Sequence, residues 1–399
     1  MHSMERKDNI ITYVRFLGHL SFRKMPFNEI DALIFSMLTY FDWNSIVSSN
    51  EKTISLQDAY NELLYLEVGN VEYEQLRIVK NEEARDVFLM EDKPKRKPHN
   101  NAKSHERELL HEMAVSERFK NIKLSHFVDE SDYEQAKQFA AIHIQYAPFS
   151  TFIAFRGTDD TLVGWKENWT MIYKEPVAGQ VRAVKYVEQT TRKSWRQYFM
   201  HYKLGGHSKG GNLAIYAAFH INEKYLKKID DIFNFDGPGF RSPFEESERY
   251  YLIKDRIHSY TPYFSLIGMA LDHYRKDKTV QSFADGLSQH DGYTWIVNGS
   301  SFLLTNKRDL ESQRVEKTFK TWVHSIPVDE RETFVEVLFE VLEKANIVTM
   351  TDFLNMNVPH IAAILKSMIT ISSDKRDLIL KILMMLYQEN HKIKKQKLK

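Results

Sequence analysis

The chain of 399 residues contains no cysteine. Disulfide bonds, thiolate metal sites and cysteine nucleophiles are therefore excluded, and this composition is compatible with a reducing compartment. The chain also lacks a run of about 18 apolar residues, and its charged first nine residues contain no apolar signal-peptide core. We therefore expect a cytoplasmic protein that has no integral membrane segment.

Net charge is almost absent as well, because 55 Lys and Arg residues stand against 54 Asp and Glu residues. A chain with so little net charge has no overall electrostatic field that attracts it to nucleic acid or to an anionic membrane. We therefore expect no nucleic-acid partner. A local apolar patch could still give transient contact with a membrane. The oligomeric state stays open.

The sequence has no His-Glu-x-x-His motif and no compact cluster of His and Asp. Metal-dependent hydrolysis is therefore not indicated, and we expect no metal and no cofactor. Hydrophobic residues make up 43% of the chain and include 25 Phe and 20 Tyr, which is ample for a large core. The length predicts one large domain with an appendage, or two domains.

The spacing of apolar residues divides the chain into three regions. Residues 1–130 show helical spacing, as at Ile30 and Leu33, and are predicted to form a helical region that packs on the core. Residues 131–304 alternate short apolar segments with helices, which predicts an α/β fold with a mostly parallel sheet covered by helices on both faces. The predicted strands are 140–144, 151–155, 199–204, 232–235, 257–260 and 279–283. Helical spacing returns in 305–399, which predicts a helical C-terminal extension.

The segment Gly206-His207-Ser208-Lys209-Gly210 has the pattern of a nucleophile elbow. A predicted strand precedes it, and a helix rich in small residues follows at 211–219. In such an elbow a strained turn presents the serine, and glycines on either side permit close backbone packing. We predict that Ser208 is the nucleophile of a serine hydrolase with an α/β-hydrolase sheet. The alternative is a glycine turn that merely contains a serine.

A serine hydroxyl is a poor nucleophile at neutral pH, so it needs a base and donors that stabilise an oxyanion. The backbone N–H of Lys209, directly after the nucleophile, is the first predicted donor. The second has to come from the end of an upstream strand, and Thr158 follows the strand 151–155 at a Gly-Thr corner. We predict the Thr158 N–H as the second donor, with its hydroxyl as a further candidate. A simple strand-ending turn is the alternative.

These motifs resemble two related families. The order of Phe155-Arg156-Gly157-Thr158 and then Gly-His-Ser-x-Gly-Gly is similar to that of the class 3 lipases. The chain resembles the Mbeg1-like family of bacterial α/β-hydrolase proteins more closely, over roughly residues 9–300. The motifs that carry this resemblance are Pro26-Phe27-Asn28-Glu29-Ile30-Asp31-Ala32-Leu33, Phe155-Arg156-Gly157-Thr158-Asp159, Gly164-Trp165-Lys166-Glu167-Asn168, GHSKGGNLA, Phe235-Asp236-Gly237-Pro238-Gly239-Phe240 and Gln289-His290-Asp291. The resemblance implies an α/β-hydrolase fold and a serine-centred site.

α/β-Hydrolases order their catalytic residues as Ser, acid and His along the chain, because successive strand ends meet at one edge of the sheet. Asp236 ends the predicted strand after the elbow helix and is the predicted acid, although an aspartate that caps a turn before Gly237 explains it equally. Class 3 lipases carry the acid one strand later, where the segment Ser259–Ser265 has no carboxylate. The other candidates are Asp272, Asp255 and Asp285.

The base is expected on the loop after the last strand, where an imidazole can be placed between the serine and the acid. His290 lies seven residues past the last predicted strand and is the predicted base, with His273 as second choice. His207 is expected to point away from the nucleophile, and His258 lies within a predicted strand.

Together these residues predict a serine hydrolase that cleaves carboxylic esters, of an acyl or lipid-like kind, through an acyl-enzyme. Segment 159–175 lies where class 3 lipases place a lid, but tryptophans four residues apart equally fit core packing. Its apolar residues are Trp165, Trp169, Met171, Ile172 and Tyr173. The competing interpretation is a catalytically degenerate hydrolase fold with a binding or regulatory role, in which the helical extension is the interaction surface. The acyl length stays open.

Overall fold

The structure is a computed structural model that describes residues 8–68, 104–132, 137–159, 162–191, 199–241, 247–265, 271, 277–306, 310–347 and 358–396. The helices are α1 (Ile10–Leu17), α2 (Glu29–Met37), α3 (Leu56–Val68), α4 (Ser104–Val115), α5 (Leu162–Thr170), α6 (Ala178–Thr190), α7 (Lys209–His220), α8 (Glu223–Leu226), α9 (Glu248–Ile253), α10 (Leu310–Ser325), α11 (Val328–Lys344), α12 (Val358–Thr370) and α13 (Ser373–Gln396). The strands are β1 (Ile54–Ser55), β2 (Lys123–Asp132), β3 (Lys137–Ala147), β4 (Ser150–Phe155), β5 (His201–His207), β6 (Ile229–Phe235), β7 (Ile257–Pro262), β8 (Lys278–Val280), β9 (Val297–Asn298), β10 (Ser301–Phe302) and β11 (Leu304–Thr305).

Nine strands form one sheet in the order β1-β2-β3-β4-β5-β6-β7-β8-β11. Strands β4 to β8 are parallel, and antiparallel pairs extend the sheet at both sides. Phe155 lies opposite Gly206, and His207 lies opposite Phe235, so the carboxyl ends of β4, β5 and β6 are level. The segments that follow these strands therefore meet at one edge, where open α/β sheets bind ligands.

Helices cover both faces of this sheet. On one face α1 to α4 contribute to a core in which the rings of Phe35 and Phe152 are 5.8 Å apart. On the other face α6 and α7 pack on the sheet, and the rings of Tyr186 and Phe155 are 6.2 Å apart. Apolar burial on both faces explains the apolar runs at 152–155 of β4 and 232–233 of β6. The predicted α/β-hydrolase architecture, with helices on both faces of a mostly parallel central sheet, is confirmed.

The region 1–130 is not purely helical, because β1 and most of β2 belong to the sheet. The expected boundary at residue 130 falls inside β2, whose register with β3 shifts between Ser125 and Val128. A polar sequence with an irregular register gives little alternation, which is why this strand was not predicted. The division of the chain into three regions stays a prediction.

The predicted helical C-terminal extension is confirmed by α10 to α13. These helices pack around Trp169 of α5, whose ring centroid lies 6.3 Å from those of Trp322 and Phe334. An ion pair between Lys166 and Glu336, with 2.7 Å between Nζ and Oε2, adds a surface contact between α5 and α11. In the described ranges, no helix combines the length and the apolar character needed to span a membrane.

Candidate active site

A single residue makes the turn between β5 and α7. The strand ends at His207 and the helix begins at Lys209, so Ser208 bridges them with φ of 57° and ψ of −134°. L-residues rarely adopt this strained conformation, which a nucleophile elbow requires. A Cβ on Gly206 would overlap the backbone of Gly210. The glycines around Ser208 are therefore needed for the turn to form.

The end of β4 lies directly against this turn. A Cβ built on Gly157 would lie 2.9 Å from the Cβ of Ser208, so only glycine allows the observed approach. Thr158 follows, and its hydroxyl accepts a hydrogen bond of 2.6 Å from Nδ2 of Asn168. The N–H of Lys209 belongs to the first turn of α7, where backbone N–H groups have no intrahelical acceptor. Gly157, directly before Thr158, and Lys209 thus adjoin Ser208, and the role of the two N–H groups as oxyanion donors stays a prediction.

Asp236 follows β6, immediately beside the elbow. The N–H of Ser208 donates to the carbonyl of Phe235 at 2.8 Å, which ties the two strand ends together. Asp236 is completely buried, so its carboxylate needs partners that replace water. Its Oδ2 accepts from Nδ1 of His290, and its Oδ1 accepts from Oγ of Ser265, each at 2.5 Å. The structure therefore brings the predicted acid and the predicted base together.

The other acid candidates lie elsewhere or outside the described residues. Oδ1 of Asn234 accepts the N–H of Gly237 at 3.0 Å, so the carboxylate of Asp236 is not used to cap that turn. Asp255 precedes β7, at the opposite end of the parallel strands, and Asp285 is exposed. Two further candidates, Asp272 and His273, lie outside the described residues.

His290 ends a 3₁₀ turn, Gly286–His290, and its side chain is 28% exposed. Its Nδ1 is engaged by Asp236, which leaves Nε2 for a reacting group. No hydrogen bond joins this ring to the hydroxyl of Ser208, although both residues belong to the described part of the chain. Hydrogen bonds between a catalytic base and its nucleophile are often long or poorly aligned before substrate binds.

His207, one residue before the nucleophile, holds the backbone of His290. Its Nε2 donates to the carbonyl of His290 at 2.7 Å, and its Nδ1 accepts from the hydroxyl of Tyr40 at 3.0 Å. Burial, with the charge of the neighbouring imidazole, lowers the pKa of His207 to about 4, so this ring is neutral at pH 7. The two histidine ring centroids are 4.6 Å apart. The expectation that the His207 side chain points away from Ser208 stays a prediction.

A buried ion pair beneath the elbow was not predicted. Nζ of Lys209 donates to Oε2 of Glu167 at 2.6 Å and to the carbonyl of Gln138 at 2.9 Å, and both charged side chains are at most 1% exposed. Oε1 of Glu167 also accepts from the N–H of Gly179 at 2.7 Å. These bonds supply the partners that two buried charges need. The first residue of α7 is thus fixed to α5 and to β3.

The segment proposed as a lid is held by these contacts. Residues 160–161 lie outside the described residues, but α5 is anchored through Glu167 and packs on the C-terminal helices. Four side chains of the segment, Trp165, Trp169, Ile172 and Tyr173, belong to or pack against the apolar cluster of those helices, and Met171 is buried. Core packing is therefore favoured over a mobile lid for 162–173.

This edge of the sheet offers a hydroxyl, an imidazole, a carboxylate and two candidate N–H donors. They are the groups that acyl transfer by a serine requires. Within the ranges that the structure describes, no group of three or more His, Asp or Glu residues is placed to hold a metal ion.

The profile of the Mbeg1-like family matches residues 113–340, which is more than half of the chain. The chain belongs to the Mbeg1-like family. The matched residues of this Mbeg1-like protein run from α4 into α11, and they include the elbow, Asp236 and His290. No curated protein sequence matches the chain.

Three lipase crystal structures show distant similarity to this Mbeg1-like protein. M37 lipase is 14% identical with a TM-score of 0.30, over 62% of this chain and 82% of that lipase. The lipase from Rhizopus microsporus var. chinensis is 15% identical with a TM-score of 0.30, over 52% and 72% of the two chains. Lip2 lipase from Yarrowia lipolytica is 12% identical with a TM-score of 0.32, over 67% and 94%. Similarity this low carries no weight for activity, which has to be argued from the site.

Proposed function

We propose that this protein is a serine hydrolase that cleaves carboxylic esters through an acyl-enzyme. The observation that carries the proposal is the buried carboxylate of Asp236, which is hydrogen-bonded to His290 and lies beside the strained turn at Ser208. A carboxylate that orients an imidazole next to a serine hydroxyl is the arrangement that activates a serine nucleophile.

In the proposed reaction, Nε2 of His290 removes the proton of Ser208 as the serine oxygen attacks the ester carbonyl carbon. Asp236 accepts the Nδ1–H bond, which keeps Nε2 unprotonated and then stabilises the imidazolium. The former carbonyl oxygen becomes an oxyanion, to which the backbone N–H groups of Thr158 and Lys209 donate. The imidazolium protonates the departing alcohol, and the acyl-enzyme remains. A water deprotonated by the same imidazole then releases the carboxylic acid.

We propose esters with an apolar acyl chain as the substrate class. Leu287 belongs to the 3₁₀ turn that ends at the proposed base and is 59% exposed, which leaves an apolar side chain for contact with an acyl chain. A series of p-nitrophenyl esters of increasing acyl length tests this class directly. Activity that rises from acetate to longer chains supports the proposal, and a strict preference for acetate contradicts it.

A fluorophosphonate probe, which modifies activated serines, tests the nucleophile. We expect the unaltered protein to be labelled and to hydrolyse the esters, whereas Ser208→Ala loses labelling and kcat falls by a factor on the order of 10⁶. Ser288→Ala is the matched control, because Ser288 is exposed in the 3₁₀ turn that ends at the proposed base. Labelling that persists in Ser208→Ala contradicts the site. Absence of labelling in the unaltered protein favours the degenerate fold with a binding or regulatory role.

A further inference from the structure

The two last helices leave eight large apolar side chains exposed, with exposed fractions of 46% to 78%. They are Val358, Ile361, Leu365 and Ile369 on α12, and Leu380, Leu383, Met384 and Tyr387 on α13. Spacings of three and four residues place each set along one stripe of its helix. Other residues of the same helices, Ile379 and Ile382 among them, are buried against α10 and α11. Grouped apolar exposure of this kind marks an interaction surface.

The charge of this part of the chain is strongly one-sided. Residues 358–399 contain nine Lys or Arg and three Asp or Glu, against 55 and 54 in the whole chain. This segment therefore carries a formal charge of +6, and the rest of the chain carries −5. α12 has no acidic residue, and its Lys366 is exposed next to the stripe. Lys375 and Lys381 pair with Glu340 and Glu330 of α11. The residues of this segment that the structure describes, 358–396, still contain seven Lys or Arg against three Asp or Glu.

We propose that α12 and α13 form a docking surface for a lipid bilayer with anionic headgroups. Helices that lie in a bilayer interface bury an apolar stripe among the acyl chains while basic side chains contact anionic headgroups. A second copy of the chain fits less well, because a symmetric dimer would place two helix pairs with an excess of basic residues against each other. The proposal goes beyond ester hydrolysis and does not depend on it.

Sedimentation of the purified full chain with vesicles tests the proposal. We expect binding to phosphatidylcholine vesicles that contain about 30% phosphatidylserine and little binding to pure phosphatidylcholine vesicles. Binding should fall when NaCl is raised from about 0.1 M to about 0.5 M, because salt screens the attraction. Leu365→Glu with Ile369→Glu should weaken binding at least about tenfold, since charges would enter the apolar stripe.

The matched control is Leu66→Glu with Leu252→Glu, which adds the same charge at exposed leucines of α3 and α9. It should reduce vesicle binding less than twofold, and circular dichroism should show all variants folded. No binding to the anionic vesicles, or an equal loss in both double variants, overturns the proposal. A dimer that the α12 variant dissociates, without vesicle binding, overturns it in favour of a second copy. Ser208→Ala should bind vesicles normally, which separates this result from hydrolysis.

Discussion

Replacing Asp236 by asparagine removes a negative charge from a fully buried position while the shape of the side chain is kept. Two hydrogen bonds end on this carboxylate, from His290 Nδ1 and from Ser265 Oγ. An amide offers one acceptor group and one donor group, so only one of these two partners can still donate a hydrogen bond to an oxygen. If the amide nitrogen faces His290, the ring proton moves to Nε2, which can then no longer accept the proton of Ser208.

The opposite amide orientation keeps the tautomer but lacks the charge that stabilises the imidazolium. Either way we expect kcat/KM on a p-nitrophenyl ester to fall by roughly 10⁴ in Asp236→Asn, the loss seen when a triad aspartate becomes asparagine. This corresponds to about 5 kcal/mol of transition-state stabilisation, at about 1.36 kcal/mol for each factor of ten. Initial rates at neutral pH and the rate of fluorophosphonate labelling measure the loss.

Two matched controls are available for this substitution. Asp255→Asn and Asp285→Asn make the same change at exposed carboxylates that do not contact the proposed base in the structure. Both should leave kcat/KM unchanged. If Asp236→Asn keeps more than about a tenth of the activity, or if Asp285→Asn loses as much, the assignment of the acid is refuted.

Two further predictions concern stability. Lys209→Met leaves the carboxylate of Glu167 buried without its cation, and we expect urea denaturation to show a loss of about 3–5 kcal/mol in unfolding free energy. The same change at Lys166, whose partner Glu336 is half exposed, should cost at most about 1 kcal/mol, and equal losses would contradict the role of the buried pair. His207 has a folded pKa of about 4, below the value of about 6.5 in an unfolded chain, so the unfolded state binds more protons between these values. The free energy of unfolding should therefore fall as the pH drops from about 6.5 to about 4, by at most about 3 kcal/mol from this group. His207→Gln should make the free energy of unfolding less dependent on pH in this range. An unchanged pH dependence in the variant would be incompatible with this explanation.

Strands β4 and β6 could be predicted because burial on both faces gives them short apolar runs, at 152–155 and 232–233. The predicted strand 151–155 corresponds to β4, Ser150–Phe155, and 232–235 lies within β6, Ile229–Phe235. Strand β2 could not be predicted in this way, since it lies near the edge of the sheet and contains many polar residues. The two-residue strands β1 and β11 are too short to give any periodicity.

The residues of the candidate site that follow from the order of strands along the chain could be predicted. The order of strand ends selected Asp236 and His290, whose side-chain atoms lie 2.5 Å apart in the structure, while their catalytic roles stay predictions. Ser265 could not be found, because a lone hydroxyl has no characteristic spacing. The segment that ends at this residue lacks a carboxylate where class 3 lipases have one, and it supplies a hydroxyl to Asp236 instead. Tyr40 and Glu167 reach the site only through tertiary contacts.

The anchoring of Lys209 makes the proposed site dependent on distant parts of the chain. Its side chain forms an ion pair with Glu167 of α5, and α5 in turn packs against Trp322 and Phe334 in the last third of the protein. A shortened chain that stops at residue 304 would expose Trp169 to solvent. The α5 helix, which holds Lys209 at the first turn of α7, would then lose its packing. The boundary at residue 304 that the sequence pattern suggests is thus a poor place to cut, and a fragment that keeps the packing around Trp169 has to include α10 and α11.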